Sequence, residues 1–384
     1  MPLPRLTWVL CDQAGTPLSG GHVATNRRLI AARNRSMEAR LSLSLHDQVA
    51  ISLFAVLQNG IPQLRVYLGT ELVFSGNWTS MRGANSVDSA SSVEMVFKDP
   101  FDRLSYRYTD GLETFVQIDA GMIAHDLIET AQLGTQLNIK TDPAFIEPTM
   151  LRDRSYYLKQ LGEAITELTQ VIAGFDWYPV YLDPRGDSLV RMMEFHVTPS
   201  LGTDLSNVIF EYGEGTKQNC TSYSFTTGLP VNWVLAIGTG DPAMVEPASD
   251  IESNAKYLTY QTILSATDVS ESVTLQEKAG DALRLSPVHV TEFKPDPAVS
   301  PLPWRDFWIG DVVRWNVDDG AMQQQLEPRV QTIEVGVDDS DNISDLVVGI
   351  DPESSGAYMP PTDSTRSYVQ RQREILRRLS ALER

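Results

Sequence analysis

The sequence predicts a mainly β fold with an α+β insertion: two small antiparallel β barrels per chain, a compact helical unit between them, and a C-terminal helix. Three observations lead there. Up to about residue 115, and again from about residue 200, apolar residues come in short runs or alternate with period two, as half-buried strands do. Between those stretches the apolar spacing lengthens to that of amphipathic helices. Finally, one strand–tip–strand unit occurs twice. Trp78-Thr79-Ser80-Met81-Arg82-Gly83 leads through a polar tip to Val96-Phe97-Lys98-Asp99-Pro100. Gln331-Thr332-Ile333-Glu334-Val335-Gly336 leads in the same way to Val348-Gly349-Ile350-Asp351-Pro352. The threonines, glycines and Asp-Pro endings fall in register with a single-residue gap. Chance is the alternative, since such units are common. A true repeat would give each chain two similar barrels, and three chains a ring of approximate sixfold symmetry.

The elements follow in order. Leu6-Thr7-Trp8-Val9-Leu10-Cys11 is a short apolar strand, and Asp12-Gln13-Ala14-Gly15 supplies a turn. Arg40-Leu41-Ser42-Leu43-Ser44-Leu45 alternates as a half-buried strand. Leu64 to Leu68, closed by Gly69, is the next strand; Leu72 to Gly76 and Asn77 to Arg82 are two more. A polar tip from Gly83 to Ser92 leads into Val93 to Pro100. Strands this short and close together predict a small antiparallel barrel. Ile123, Leu127 and Ile128 then mark a helix over about 119–133, with Gly134 as its stop. Ser155 is placed to cap a second helix with the apolar face Leu158, Leu161, Ile165, Leu168 and Ile172, closed by Gly174. Phe175 to Leu182 and Met192 to Val197 read as a hairpin around Pro184-Arg185-Gly186-Asp187. From Val208 the pattern is β again, with Val234 to Gly238 and Ile309 to Val317 as buried-strand candidates. The domains expected are a first β barrel (1–115), an α+β inserted domain (116–200), a second β barrel with its own insertion (201–352), a linker (353–365) and a C-terminal helix (366–384).

Composition excludes several function classes. No stretch of the 384 residues reaches the ~18 consecutive apolar residues of a membrane helix, and the start lacks a signal-peptide pattern. The two cysteines, Cys11 and Cys220, read as buried free thiols rather than a disulfide framework. The net charge is −19, unevenly spread. Asp204 to Glu353 holds 25 acidic and 8 basic residues, whereas the first 40 residues and the tail from Arg366 each hold six arginines against two acids. An acidic body repels free nucleic acid, and basic ends point to contacts made by the ends.

No catalytic, cofactor-binding or metal-binding residue is assigned. The five histidines have no zinc spacing, and no nucleophile elbow occurs. Gly213-Glu214-Gly215-Thr216-Lys217 lacks the spacing of a phosphate loop and reads as a strand turn. Asp338-Asp339-Ser340-Asp341-Asn342 lacks the glycine and distal glutamate of a calcium loop and reads as a solvated hairpin tip. Carboxylate pairs are plentiful, but nothing selects one for glycoside hydrolysis. Two features stand as candidate interfaces. Arg27, Arg28, Arg33 and Arg35, with Arg40, crowd one segment, either to meet an acidic neighbouring chain or to form a solvated edge strand. Tyr368, Ile375, Leu379 and Leu382 lie along one seam of the C-terminal helix, either between chains or docked on the chain's own body.

Several of these runs together carry a resemblance. They are Thr7 to Thr16, Leu64 to Leu68, Leu72 to Gly76, Val96-Phe97-Lys98-Asp99-Pro100-Phe101-Asp102-Arg103-Leu104 and Trp308-Ile309-Gly310-Asp311-Val312-Val313. Over most of 5–352 the chain resembles the minor tail proteins of long, flexible-tailed phages, particularly those infecting actinobacteria. It is also similar to the baseplate hub proteins of contractile phages. The resemblance implies a virion tail-tip location and a homotrimeric hub with two tube-forming barrels per chain. Such a hub would follow the distal tail protein ring and contact the tape measure protein and other tail-tip or fibre proteins. It would meet DNA only in transit and make no stable membrane insertion. The C-terminal lysin of some relatives is not expected after so short a helix. The rival expectations are a receptor- or carbohydrate-binding tail protein and a cell-wall hydrolase.

Overall fold

The structure is a computed structural model. It describes residues 5–20, 24–46, 48–86, 89–133, 135–170, 174–182, 192–213, 218–238, 243–266, 272–283, 288–319 and 323–350. The expected linker and C-terminal helix lie outside these residues. The first part of the chain holds β1 (Leu6–Cys11), β2 (Pro17–Gly20), β3 (Thr25–Ala32), β4 (Glu38–Ser44), α1 (Gln48–Asn59), β5 (Gln63–Leu68), β6 (Glu71–Ser86) and β7 (Ser89–Lys98). A 3-10 turn, Pro100–Tyr106, leads to β8 (Leu112–Asp119), α2 (Ala120–Gln132) and β9 (Ile139–Lys140). Then come β10 (Leu151–Tyr157), α3 (Leu161–Gln170), β11 (Asp176–Tyr181) and β12 (Met193–Thr198). The last part holds β13 (Asp204–Gly213), β14 (Cys220–Thr227), β15 (Trp233–Ile237), β16 (Val245–Ser249), α4 (Ile251–Tyr257), β17 (Gln261–Ser265) and α5 (Ser272–Asp281). It ends with β18 (Val288–Pro295), β19 (Val312–Asp318), β20 (Gln323–Leu326), β21 (Val330–Val337) and β22 (Ile343–Ile350).

The fold is mainly β, as expected, but no sheet among the described residues closes into a barrel. One 11-stranded sheet runs in the order β14-β18-β22-β21-β3-β4-β7-β6-β5-β1-β2 and ends at β14 and β2. The reason lies in β3. It pairs with β4 on one side and β21 on the other, from Thr332↔Ala32 to Val337↔Arg27, so the two halves of the chain share a sheet. They also share a core, whose fully buried members include Leu6, Trp8, Phe74, Phe97, Phe210, Phe293, Trp315 and Val348. Alternation explains the burial: β19 reads half-buried, buried, half-buried along Val-Val-Arg-Trp-Asn-Val-Asp, sending Val313, Trp315 and Val317 inward.

The order within this sheet repeats. β14-β18-β22-β21 is followed by β3-β4-β7-β6. Each block is an early strand, its antiparallel partner, then the closing and opening strands of a later hairpin. The recurring sequence units are those two hairpins, β6–β7 and β21–β22, and they hold matching places. The strands read as Leu72–Gly76 and Asn77–Arg82 are one 16-residue strand, β6. Gly76 does not break it; its glycine is required because a Cβ there would stand 2.7 Å from the Lys98 carbonyl oxygen. Only its first part, Glu71 to Asn77, pairs with β5, whereas its pairing with β7 runs from Asn77 to Ser86.

The strand expected from Ile309 starts at Val312, because Gly310 turns the backbone at φ +91°. Gly202 (φ +87°) crosses it so closely that a Cβ would meet the Gly310 carbonyl carbon at 2.2 Å. Asp311 clamps this crossing, accepting from Thr203 N at 2.8 Å and from Trp308 N at 2.7 Å.

The inserted unit has its own core, in which Ile123, Leu127, Leu161, Ile165, Leu168 and Phe195 are buried. Asp119 caps α2, accepting from Gly121 N and Met122 N. Here the helix reading needs correction. Ser155 caps nothing: residues 151–157 form β10, paired with β8, and α3 begins at Leu161. Leu158 sits in the connection with φ +48° and is 57% exposed, so it leaves the apolar face. The run of Tyr156 and Tyr157 favours a strand, and the left-handed turn at Leu158 resets the spacing. Ile172 lies outside the described residues. A third core packs Val234 and Ala236 of the β16-β15-β17 sheet against Leu275 and Ala279 of α5.

Candidate assembly surfaces

The arginine-rich segment is β3 and the turn after it. Most of its charge is used within the chain. Arg27 is 1% exposed, and its guanidinium bonds the Asp341 carboxylate and the Asp338 carbonyl in the tip between β21 and β22. Asp338 also ties that tip, accepting from Asn342 N at 2.9 Å and Ser340 N at 2.8 Å. The backbone hydrogen bond from Asn342, supported by that from Ser340, holds its carboxyl below the usual carboxylate range. Arg28 is half exposed and pairs with Glu334 on the adjoining strand. Arg33 grips Asp176 side-on, Nε to Oδ1 at 2.8 Å and Nη2 to Oδ2 at 2.9 Å. Asp176 is 1% exposed and also accepts from Asn34 Nδ2 and Leu201 N, both at 2.8 Å. This pair fastens the turn between β3 and β4 to β11 of the inserted unit. Arg40 pairs with Glu38 beside it on β4. Arg35 is exposed, on a cleft of about 400 Å³ lined also by Asp102, Gln160, Glu163 and Glu167. Tyr368, Ile375, Leu379 and Leu382 lie outside the described residues.

A second junction is centred on Asp99, which is 1% exposed. It accepts from Ser36 Oγ (2.6 Å), Met37 N (2.8 Å), Phe101 N (3.1 Å) and the Tyr181 hydroxyl (3.2 Å). One carboxylate thus joins the β3–β4 turn, the 3-10 turn and β11. Burial pushes its pKa up to about 6, against the downward pull of those donors. Burial also raises the Cys220 thiol, to about 12, and both cysteines are buried and free.

Sequence reading missed one surface. β8 and β10 form a two-stranded sheet whose outer face carries exposed apolar side chains among polar ones: Leu112 is 68% and its cross-strand partner Tyr157 is 69% exposed. Tyr106, Tyr108, Val116 and Leu151 are exposed around them. The run Leu112-Glu113-Thr114-Phe115-Val116 does not say which set of side chains finds a core; Phe115 and Tyr156 did. Large apolar side chains exposed close together are a feature of contact surfaces. The open strand edges among the described residues include the outer edge of β14, and the side of β6 beyond Asn77, where β5 no longer runs. No group of three or more His, Cys, Asp or Glu placed to hold a metal ion occurs among the described residues. No helix among them is long and apolar enough to cross a membrane.

No protein-family model matches the chain, and neither does any curated protein. Solved structures do. A tail protein from Neisseria meningitidis superposes with a TM-score of 0.56 at 10% identity, over 91% of this chain and 99% of that one. The prophage MuSo2 43 kDa tail protein from Shewanella oneidensis gives 0.56 at 11% identity, over 91% and 99%. The chain has the fold of these phage tail proteins. The prophage tail protein gp18 from Listeria monocytogenes extends the match to 96% of this chain and 98% of that one, with a TM-score of 0.55 at 9% identity. The tail-protein fold therefore includes the inserted units as well as the large sheet. At such low identity the likeness shows the architecture alone.

Proposed function

We propose that the chain is a structural tail-tip, or baseplate, hub protein of a phage virion. In this reading three copies form a ring that continues or closes the tail tube, anchors other tail-tip proteins and passes DNA at infection. The carrying observation is the repeated four-strand block. Within one chain the opening strand of one hairpin, β21, pairs with the first strand of the next block, β3. The matching pair at the two outer ends is β6 and β14. Both have open edges, and strands alternate in direction throughout the blocks, so β6 of one copy can meet β14 of the next in the same antiparallel sense. That head-to-tail contact repeats the β21–β3 junction. Three chains would present six blocks in one closed ring of paired strands. The fold shared with proteins named as tail proteins supports the same reading.

The neighbours in this proposal are the distal tail protein ring, the tape measure protein and fibre proteins. The Arg35 cleft and the outer β8–β10 face are the surfaces this chain offers them. Sedimentation gives the oligomeric state, and hydrogen exchange reads the edges: β14 and the distal half of β6 should be protected in the trimer and exchange freely in monomer. Imaging of labelled virions should place the protein at the tail tip. A monomeric chain with saturable sugar binding would instead favour a receptor-binding role, and activity on purified peptidoglycan a hydrolase.

A further inference from the structure

Arg65 lies near the middle of β5 and is 4% exposed. Val9 of β1 and Ser75 of β6 are its cross-strand partners. Its sequence neighbours Leu64 and Val66 point into the main core, so Arg65 stands on the opposite face with Gln63, which is 2% exposed. The turn after β1 covers that face. Gln63 Nε2 donates to the Gln13 carbonyl at 3.0 Å, and Gly15 lies against the guanidinium. A Cβ on Gly15 would stand 2.3 Å from Arg65 Nη2, and its φ of +83° is one that glycine accepts freely.

Inside this enclosure Arg65 Nε and Nη2 have no hydrogen-bond partner. Ser75 Oγ, fully buried on the adjacent strand, has none either. Nε and Nη2 form the edge with which a guanidinium holds two oxygens side-on. Arg33 uses the same two atoms on Asp176. A buried guanidinium with that edge empty is strongly destabilising, because the cation has lost water without gaining an anion. The Asp12 carboxylate in that turn accepts from Thr16 N at 2.8 Å and holds the turn.

We propose that Arg65 and Ser75 form a buried site for a small oxyanion of the phosphate or carboxylate class. The ion is held side-on by Nε and Nη2, and the Ser75 hydroxyl donates to it as a third contact. It acts as a structural ion under the turn after β1, and this role is independent of the proposed place in a tail.

The test uses the full chain dialysed into a chloride-only buffer. Its thermal midpoint is followed as inorganic phosphate, or acetate, replaces chloride at constant ionic strength. The wild-type midpoint should rise with the logarithm of concentration for at least one of these ions. Ser75→Ala should need about tenfold more ion for the same rise, as befits one lost hydrogen bond to a charged group. Arg65→Met should show no rise. A wild-type midpoint that responds no differently to either oxyanion than to chloride overturns the proposal. So does an unchanged response in Arg65→Met. If that variant does not fold, Ser75→Ala decides: a response equal to wild type overturns the site.

Discussion

At the scale of single residues, two buried carboxylates do most of the joining. Asp176 takes four hydrogen bonds from two separate segments, Arg33-Asn34 and Leu201. Replacing it with alanine leaves Arg33 without its anion and two further donors, Asn34 Nδ2 and Leu201 N, without an acceptor. The expected loss is about 3–5 kcal/mol, read from urea unfolding. Asp99 gives a pH signature. Its folded pKa of about 6 lies above the value of about 3.9 in an unfolded chain, so the folded state binds its proton more tightly. Its contribution to stability is complete below about pH 4 and is lost as pH rises through 6, by roughly 3 kcal/mol for two pKa units. Comparing wild type with Asp99→Asn between pH 4 and 7.5 isolates this: the gap should move against wild type as pH rises. A constant gap would show that Asp99 is already ionised at pH 4. The sequence marked Asp99-Pro100 as the end of a repeat unit, not as a junction. Its partners Ser36 and Tyr181 are 63 and 82 residues away, beyond any local pattern.

Elements were legible where periodicity met a core. Ile165 is fully buried in the middle of α3, and Ile165→Ala should cost about 2–5 kcal/mol in thermal or urea unfolding. Leu158→Ala, three residues before that helix begins, should stay within about 0.5 kcal/mol. Equal losses at both sites would contradict the boundary between β10 and α3. Strands β1, β4, β5 and β7 and helix α2 could be read directly, because each has one apolar face and a polar or glycine stop. The helices α1, α4 and α5 could not. The apolar residues of α1 come in sequence runs, Val49-Ala50-Ile51 and Leu53-Phe54-Ala55-Val56-Leu57, without a clean helical stripe, and α4 has only seven residues. The barrels were misjudged for a topological reason. Strand count and spacing cannot reveal that β3 will take a neighbour from the far end of the chain.

For the whole molecule, the shared sheet and single large core make the two repeated blocks one unit rather than two beads. The proposed role of 366–384 is to help hold three chains together through Tyr368, Ile375, Leu379 and Leu382. Deleting 365–384 should then weaken trimerisation, or attachment of the next tail component, while leaving circular dichroism of the β body unchanged. Sedimentation of the truncated chain checks this; full trimerisation and normal virion assembly would remove the helix from the interface. The candidate arginines show why surface function was harder to read than fold. Charge clustering was visible, but Arg27 and Arg33 face Asp341 and Asp176, which are 314 and 143 residues away.

The β3–β21 pairing also governs how the protein is made. Arg28 and its partner Glu334 are 306 residues apart, so a ribosome finishes β3 long before β21 exists. At ~5–20 residues per second, that strand waits about 15–60 s with one side unsatisfied. Arg27 and Arg28 sit on the waiting strand during this interval, where positive charge discourages pairing with other nascent chains. Arg27, which later locks the hairpin tip, and Arg28, which later pairs along β21, would thus first act as guards against aggregation. Substituting them with uncharged residues would lower soluble yield during synthesis by more than the stability of the purified protein accounts for.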